Sequence, residues 1–246
     1  MEIFFAEPDQ ITADKIILDE SETKHIIHTL RKQKGDVIWI TDGQGKLYRA
    51  VIKELSKRLK IEYTETKRFE RLTPELTLAV GFIRPNRLDT LIEKCTEIGI
   101  SKFIIFRSEY ANYISLNTSR MNKILKQAIK QSLQYFLPTI TLFEKFTEFI
   151  DNMSGYDLKV AAIGPDSEDL ISSMSTIEAV NLRNLILTIG PEGGFSENEI
   201  HDLIQNNFKT ISLGKTRLRT ETAAIAGASV LQSYIQHKKE TNIGIR

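Results

Sequence analysis

The run Gly190-Pro191-Glu192-Gly193-Gly194 and the run Gly214-Lys215-Thr216-Arg217-Leu218-Arg219 carry the residue types best suited to chemistry in this chain. An apolar, strand-like segment precedes each of them, Leu185–Ile189 and Thr210–Leu213. A helix-like segment follows each, and the second of these is rich in Ala and Gly from Thr220 onward. Glycines in such turns permit positive φ and let the backbone approach a ligand closely, while Pro191 stiffens the turn. Loops at the carboxyl ends of adjacent strands are where open α/β sheets build ligand crevices. Either loop by itself also reads as an ordinary strand-to-helix turn; the pair points to a ligand site.

Two phosphate-binding patterns fail here. Gly214-Lys215-Thr216 ends like a P-loop, but Lys209 stands where that motif needs its first glycine. Glu192 stands where a G-x-G-x-x-G loop needs its second. The remaining candidates are weaker. The histidines are scattered, and no His, Cys or carboxylate spacing suggests a metal. Cys95 falls on an apolar helical face and reads as core rather than nucleophile. Ser196 reads as a helix N-cap with Glu199 completing a capping box, and His201 as a surface helix residue. Lys24, His25, His28, Arg31, Lys32 and Lys34 form a run without an acid. Lys46, Arg49, Lys53, Lys57, Arg58 and Lys60 follow with only Glu54 among them. These are either a phosphate-contacting stripe or a solvated face. Arg84 and Arg87 flank Pro85-Asn86 at the end of a predicted strand, on the sheet edge expected to hold the glycine turn.

Those side chains need elements to position them. At 246 residues the chain has ample length for a core, in one large domain or two modest ones. The formal net charge of +1 offers no globally basic surface, so any nucleic-acid footprint must be local. One cysteine allows no internal disulfide and fits a reducing compartment. With no membrane-length apolar run and no signal-peptide pattern, the expectation is a soluble cytoplasmic protein. Residues 1–70 read as a small β domain, with strands at Ile3–Phe5, Lys15–Leu18, Val37–Thr41, Leu47–Glu54 and Leu59–Thr66. A helix is predicted over Ser21–Leu30, capped by Asp19 or Ser21. Lys67–Thr73, before Pro74, reads as linker. From Glu75 the rhythm becomes strand, helix, strand, helix, the pattern of a parallel sheet. Strands are predicted at Leu76–Phe82, Lys102–Phe106, Thr139–Phe143, Leu158–Ile163, Leu185–Ile189 and Thr210–Leu213. Helices are predicted over Leu88–Ile98, ended by Gly99, and over 119–134, 196–206 and 220–237. No internal repeat is apparent.

Ile189-Gly190-Pro191-Glu192-Gly193-Gly194-Phe195-Ser196 with Glu199, and Leu213-Gly214 followed by Leu218-Arg219-Thr220-Glu221-Thr222-Ala223, resemble the RsmE family. These are SPOUT-class methyltransferases that modify N3 of a uridine in 16S ribosomal RNA. Thr23-Lys24-His25, Leu30-Arg31 and Gly35-Asp36 are similar to that family's amino-terminal PUA-like RNA-binding domain. Glu93–Gly99 and Gln131-Ser132 match further family elements, so the likeness covers nearly the whole chain. Where the family commonly continues to an arginine, this chain has Leu133 and Gln134, which puts that arginine's RNA contact in doubt.

The resemblance implies an α/β SPOUT domain over 74–246 with a mainly parallel sheet, and a PUA-like β-barrel over 1–70. It also implies a deep trefoil knot whose two loops hold S-adenosylmethionine in a bent pose. The implied cofactor contacts are Ile189, Gly190, Glu192, Gly194, Leu213, Gly214, Leu218, Thr220, Glu221, Thr222 and Ala223, mainly through backbone. Gly194→Val is expected to weaken cofactor binding by steric exclusion while leaving the fold largely intact. Lys24, His25, Arg31, Lys32, Arg84 and Arg87 are the implied RNA contacts. Arg219 is the catalytic candidate, set to stabilise charge on the uracil ring, with a structural pair to Glu221 or Glu192 as its alternative. The implied partner is small-subunit ribosomal RNA, free or within an assembled 30S subunit, with no metal and no membrane. A homodimer is implied, and Ala223, Ala224, Gly227 and Ala228 offer a face for it that could equally pack within the subunit. The competing readings are a ribose 2′-O-methyltransferase and a non-catalytic RNA-binding assembly protein. A nucleotide hydrolase is disfavoured by the failed P-loop test.

Overall fold

The computed structural model describes residues 2–56, 58–112, 116–175 and 182–243. Lys57 of the second basic run therefore lies outside the described residues. The chain divides into two compact units, one of residues 1–71 with 126–137, the other of 72–125 with 138–246.

The first unit is built on β1 (Ile3–Phe5), β2 (Lys15–Ile17), β3 (Val37–Thr41), β4 (Lys46–Glu54) and β5 (Lys60–Arg68), in the order β1-β3-β4-β5-β2. Neighbours are antiparallel except the parallel pair β1 and β3. Ile38, Ile40, Ala50, Ile52 and Ile61 turn one face inward onto Phe4, Ile16 and Ile26, as period-two alternation requires. Register shifts between Arg49 and Ala50 and between Ile52 and Glu54 curl the sheet. β5 runs on to Arg68, so part of the predicted linker is strand.

Helix α1 (Glu20–Lys24) begins where Asp19 accepts from the Glu22 N–H at 2.8 Å. The predicted continuous helix instead widens at His25–Thr29 into a π-turn closed by Leu30 N–H to the His25 carbonyl at 3.1 Å. Tertiary contacts account for it: Thr23 accepts from the Leu59 N–H at 3.1 Å and Ile26 is buried in the core. Residues 126–137 join this unit through the turn at Asp42–Gly45. There Gly45 N–H donates to the Tyr135 carbonyl at 2.9 Å, and Phe69 stacks on Tyr135 at 4.0 Å.

The second unit holds β6 (Glu75–Gly81), α2 (Pro85–Ile98), β7 (Lys102–Phe106), α3 (Thr118–Gln131, whose last residues count with the first unit), β8 (Thr139–Phe143), α4 (Phe146–Asp151) and β9 (Leu158–Ala162). It continues with β10 (Glu168–Asp169), α5 (Leu170–Ser175), β11 (Asn184–Ile189), α6 (Glu197–Gln205), β12 (Lys209–Ser212) and α7 (Thr220–Ile243). All seven strands run parallel in the order β10-β12-β9-β11-β6-β7-β8. Helices cover such sheets, so the central strands are buried along nearly their whole length. Gly99 ends α2 at φ 108°, a conformation that costs a residue with a side chain. α4, β10 and α5 were not legible in sequence, because two to six residues are too few to show a period.

The small-residue face of α7 packs inside its own subunit. Ala224 and Ala228 are fully buried, and a Cβ on Gly227 would stand 2.8 Å from the Leu187 side chain. That face is therefore unavailable for pairing. Cys95 is buried on α2, and burial pushes its thiol up to about 12, as befits core rather than a nucleophile. Among the described residues no helix is long and apolar enough to cross a membrane.

Candidate active site

The two glycine-bearing loops leave β11 and β12, but these strands are not neighbours. β9 lies between them and pairs with both. The expected adjacency is thereby corrected, and the strand in the middle adds a third loop, Ile163-Gly164-Pro165. The three loops line a cavity of about 670 Å³, a size suited to a small organic ligand. A signal for the third loop was present: Ile163-Gly164-Pro165-Asp166 echoes Ile189-Gly190-Pro191-Glu192. Without the strand order, nothing connected the two.

Phe195 fixes the far end of the first loop. Its ring packs against Phe106 and Phe146, each at 6.2 Å between centroids. Ser196 then caps α6, and the predicted capping box is formed with Glu199. Glu199 does more than close it. Its carboxylate, 5% exposed, accepts from the Ser108 hydroxyl at 2.8 Å, the Glu109 N–H at 2.8 Å and the Ser196 N–H at 2.9 Å. The segment after β7 is thus tied to the start of α6.

A second tie crosses the mouth of the cavity. Arg87, on the first turn of α2, stands 3.6 Å from Glu192 and 3.8 Å from Glu221. Glu192 also accepts from the Arg84 N–H at 3.3 Å, and its carbonyl accepts from Arg217 at 3.4 Å. Both acids considered as partners for Arg219 are thus engaged by Arg87. Arg219 lines the cavity and is exposed, and its carbonyl accepts the Ala223 N–H at 2.8 Å, which places it at the N-cap of α7. Arginine is a poor choice there by stability alone, where Ser, Thr, Asp or Asn would cap the helix. Departures of that kind concentrate at functional sites.

Of the residues expected to contact the cofactor, Ile189, Gly190, Glu192, Gly194, Leu213, Gly214, Leu218, Thr220 and Ala223 line the cavity. Glu221 and Thr222 do not: the first pairs with Arg87, and the second is exposed on the opening turn of α7. Of the predicted RNA contacts, Arg87 lines the cavity and Arg84 is exposed beside it in sequence. Lys24, His25 and Arg31 are exposed and Lys32 is half-buried, all in the first unit.

The cavity fits S-adenosylmethionine in kind. Gly194 at φ 80° and Gly214 at φ 128° each have nothing within 4 Å of where a Cβ would stand. A side chain would fill that space, and its absence leaves main-chain groups open to a ligand. Ile163, Ile189, Leu213, Leu218 and Ala223 supply apolar wall. The positive φ also corrects the Gly194 expectation, since Val there would strain the loop as well as fill the cavity. Ala223→Leu is the cleaner probe, because leucine keeps helix propensity while adding bulk. Isothermal calorimetry is expected to show S-adenosylmethionine binding weakened by about 1–3 kcal/mol, as for overpacking, with little change in melting temperature. Unchanged affinity would remove α7 from the cofactor wall.

Comparison with known proteins agrees with this geometry. A family model described as an RNA methyltransferase domain matches residues 70–232, and one described as an RNA methyltransferase PUA domain matches residues 18–62. The ribosomal RNA small subunit methyltransferase E of Bacillus subtilis is 29% identical over 224 residues, covering 85% of this chain and 86% of its own length. The crystal structure of a probable rRNA-methyltransferase from Porphyromonas gingivalis superposes with a TM-score of 0.84 at 27% identity, covering 95% of this chain and 98% of that one. That of a ribosomal RNA small subunit methyltransferase E from Neisseria gonorrhoeae, bound to S-adenosyl methionine, shares the fold with a TM-score of 0.83 at 24% identity, covering 95% and 98%. With the match running through both units and the cavity falling on its glycine loops, this chain belongs to the RNA methyltransferase family of the small-subunit ribosomal RNA methyltransferases E, the RsmE family.

Proposed function

We propose that this protein methylates N3 of a uridine in small-subunit ribosomal RNA, using S-adenosylmethionine held by the three strand-end loops. The observation that carries this reading is the cavity walled by main chain at Gly194 and Gly214, with Arg219 at the N-cap of α7 beside it. Bound there, S-adenosylmethionine supplies an electrophilic methyl group. The chain's own residues have the remaining work. N3 of uridine carries a proton at neutral pH and becomes nucleophilic as that proton leaves. Negative charge then spreads over N3 and the flanking carbonyl oxygens. The Arg219 guanidinium remains charged at any working pH and offers several donors. The amino-terminal N–H groups of α7, which begins at the next residue, add partial positive charge on the same side. This is stabilisation of charge where it develops, the largest single contribution in many active sites. A ribose hydroxyl would place its charge on one oxygen and make less use of a planar, multi-donor group.

In this reading residues 1–70 deliver the RNA and 74–246 carry the chemistry, within a trefoil knot around the cofactor. Lys24, His25, Arg31 and Lys32 contact phosphates, and Arg84 lies at the substrate side of the cavity. The protein acts as a homodimer through a surface other than the buried small-residue face of α7; a monomer by light scattering at working concentration would remove this last element. The deciding experiment is mass spectrometry of ribosomal RNA nucleosides from cells lacking the protein. Loss of 3-methyluridine from the small subunit is expected. Its retention at the full level, or loss of a 2′-O-methyl nucleoside instead, would overturn the assignment.

A further inference from the structure

The sole tryptophan of the chain does not belong to the core of its unit. On β3 the side chains of Ile38 and Ile40 are buried inward, while Trp39, between them, takes the opposite face. Val37 on that outer face is 39% exposed, and its cross-strand partner Val51 is only half-buried. Cations surround this apolar strip. Arg49 is the cross-strand partner of Trp39, which is half-buried, and the Lys67 ammonium lies over one face of the indole, 5.6 Å from its centroid. Lys32 lines, with Trp39, Val37, Phe4 and Glu2, a hollow of about 460 Å³ beside the ring. A large aromatic left outside the core and ringed by cations suits neither packing nor simple solvation. It matches the combination that binds unpaired nucleotides: a ring for the base and cations for the phosphates.

We infer that the outer face of β3, β4 and β5 binds single-stranded RNA, with one unpaired base stacked on Trp39. Resting on the RNA-methyltransferase reading above, this assigns the first unit a specific ligand site. Lys67 and Arg49 take the flanking phosphates. Lys67 lies over the indole and has an exposed pair to Glu65 at 3.5 Å, both weak restraints in solvent, so an incoming base displaces its ammonium from the ring and it turns to a phosphate. Glu2, which lines the hollow with Lys32, offers an acceptor to a base N–H. Stacking is tolerant of base identity, so this site holds and orients the RNA strand while the choice of uridine is made elsewhere.

Because there is a single tryptophan among seven tyrosines, fluorescence excited at the red edge, where only indole absorbs, reports on this site alone. Titration of the full-length protein with a single-stranded oligoribonucleotide is expected to quench the fluorescence saturably, and a duplex of the same length much less. By anisotropy of a labelled oligonucleotide, Trp39→Ala should weaken binding roughly 10- to 100-fold, the range for loss of one stacked base. Trp39→Phe should stay within a few-fold of the wild type. S-adenosylmethionine binding and the thermal unfolding profile of Trp39→Ala should both match the wild type, the former showing that the second unit is folded and the latter that the first unit is. The inference is overturned if RNA binds without quenching, if Trp39→Ala binds at full strength, or if polyphosphate quenches as well as RNA does. It is equally overturned if the quenching follows self-association in sedimentation. A wild-type protein that methylates ribosomal RNA while Trp39 stays silent sinks this site and leaves the proposed function standing.

Discussion

Arg219→Lys is expected to lower kcat about 10²-fold, the loss typical of one donor in a charge-stabilising site, with little change in S-adenosylmethionine affinity or thermal stability. The reasoning is geometric. Arg219 occupies the N-cap of α7 through its carbonyl, which a lysine supplies equally well. Both acids that would give it a structural role, Glu192 and Glu221, stand instead within 3.6–3.8 Å of Arg87. Removing the guanidinium therefore breaks no ion pair seen among the described residues. What lysine cannot reproduce is the planar fork of donors that meets delocalised charge at more than one atom. Single-turnover methylation with saturating cofactor separates this effect from binding. A variant that transfers methyl groups at the normal rate would show that the arginine has no part in the chemistry. One that unfolds would show that its role is structural. In either case the charge on the uracil ring would have to be met by another group.

Glu199→Ala is expected to destabilise the second unit by about 3 kcal/mol. Three donors converge on this carboxylate in a buried setting: the Ser108 hydroxyl and the Glu109 and Ser196 N–H groups. Truncation leaves them without an acceptor, and each unsatisfied buried donor costs about 1–3 kcal/mol. Partial rescue by water or by small shifts brings the sum toward the lower end. Glu199→Gln retains one acceptor oxygen and is expected to lose roughly half as much. Denaturant unfolding followed by circular dichroism measures both. The loss extends to the cofactor, since Ser196 is two residues from Gly194 and the glycine loop is anchored there. Weaker S-adenosylmethionine binding should therefore accompany the lower stability. Equal stability of the Ala variant and the wild type would mean that the loop after β7 is held by other contacts, such as the approach of Tyr110 to Gly193.

The amino-acid sequence by itself determined the local elements and the chemical character of the site. Apolar runs and their period fixed five strands of the first unit and the longer strands and helices of the second to within a few residues, except that α7 runs on from the predicted end at 237 to Ile243. Gly99 as a helix stop, Asp19 as a cap and the Ser196–Glu199 box were legible because each depends on backbone groups no more than a turn away. The two glycine runs were legible for the same reason, and they carry the residues that line the cavity. The tertiary structure alone decided which strands stand side by side. Only the strand order put β9 between β11 and β12 and so brought in the Ile163-Gly164-Pro165 loop. It likewise set Arg87 against both Glu192 and Glu221, which lie 105 and 134 residues further along the chain, and turned the small-residue face of α7 inward onto Leu187. The π-turn at His25–Thr29 belongs here too, since it answers to Leu59. Capping and periodicity are short-range and leave a mark in neighbouring residues. Ion pairs, close approach and strand adjacency depend on which distant segments packing brings together, and one-dimensional spacing does not encode that choice.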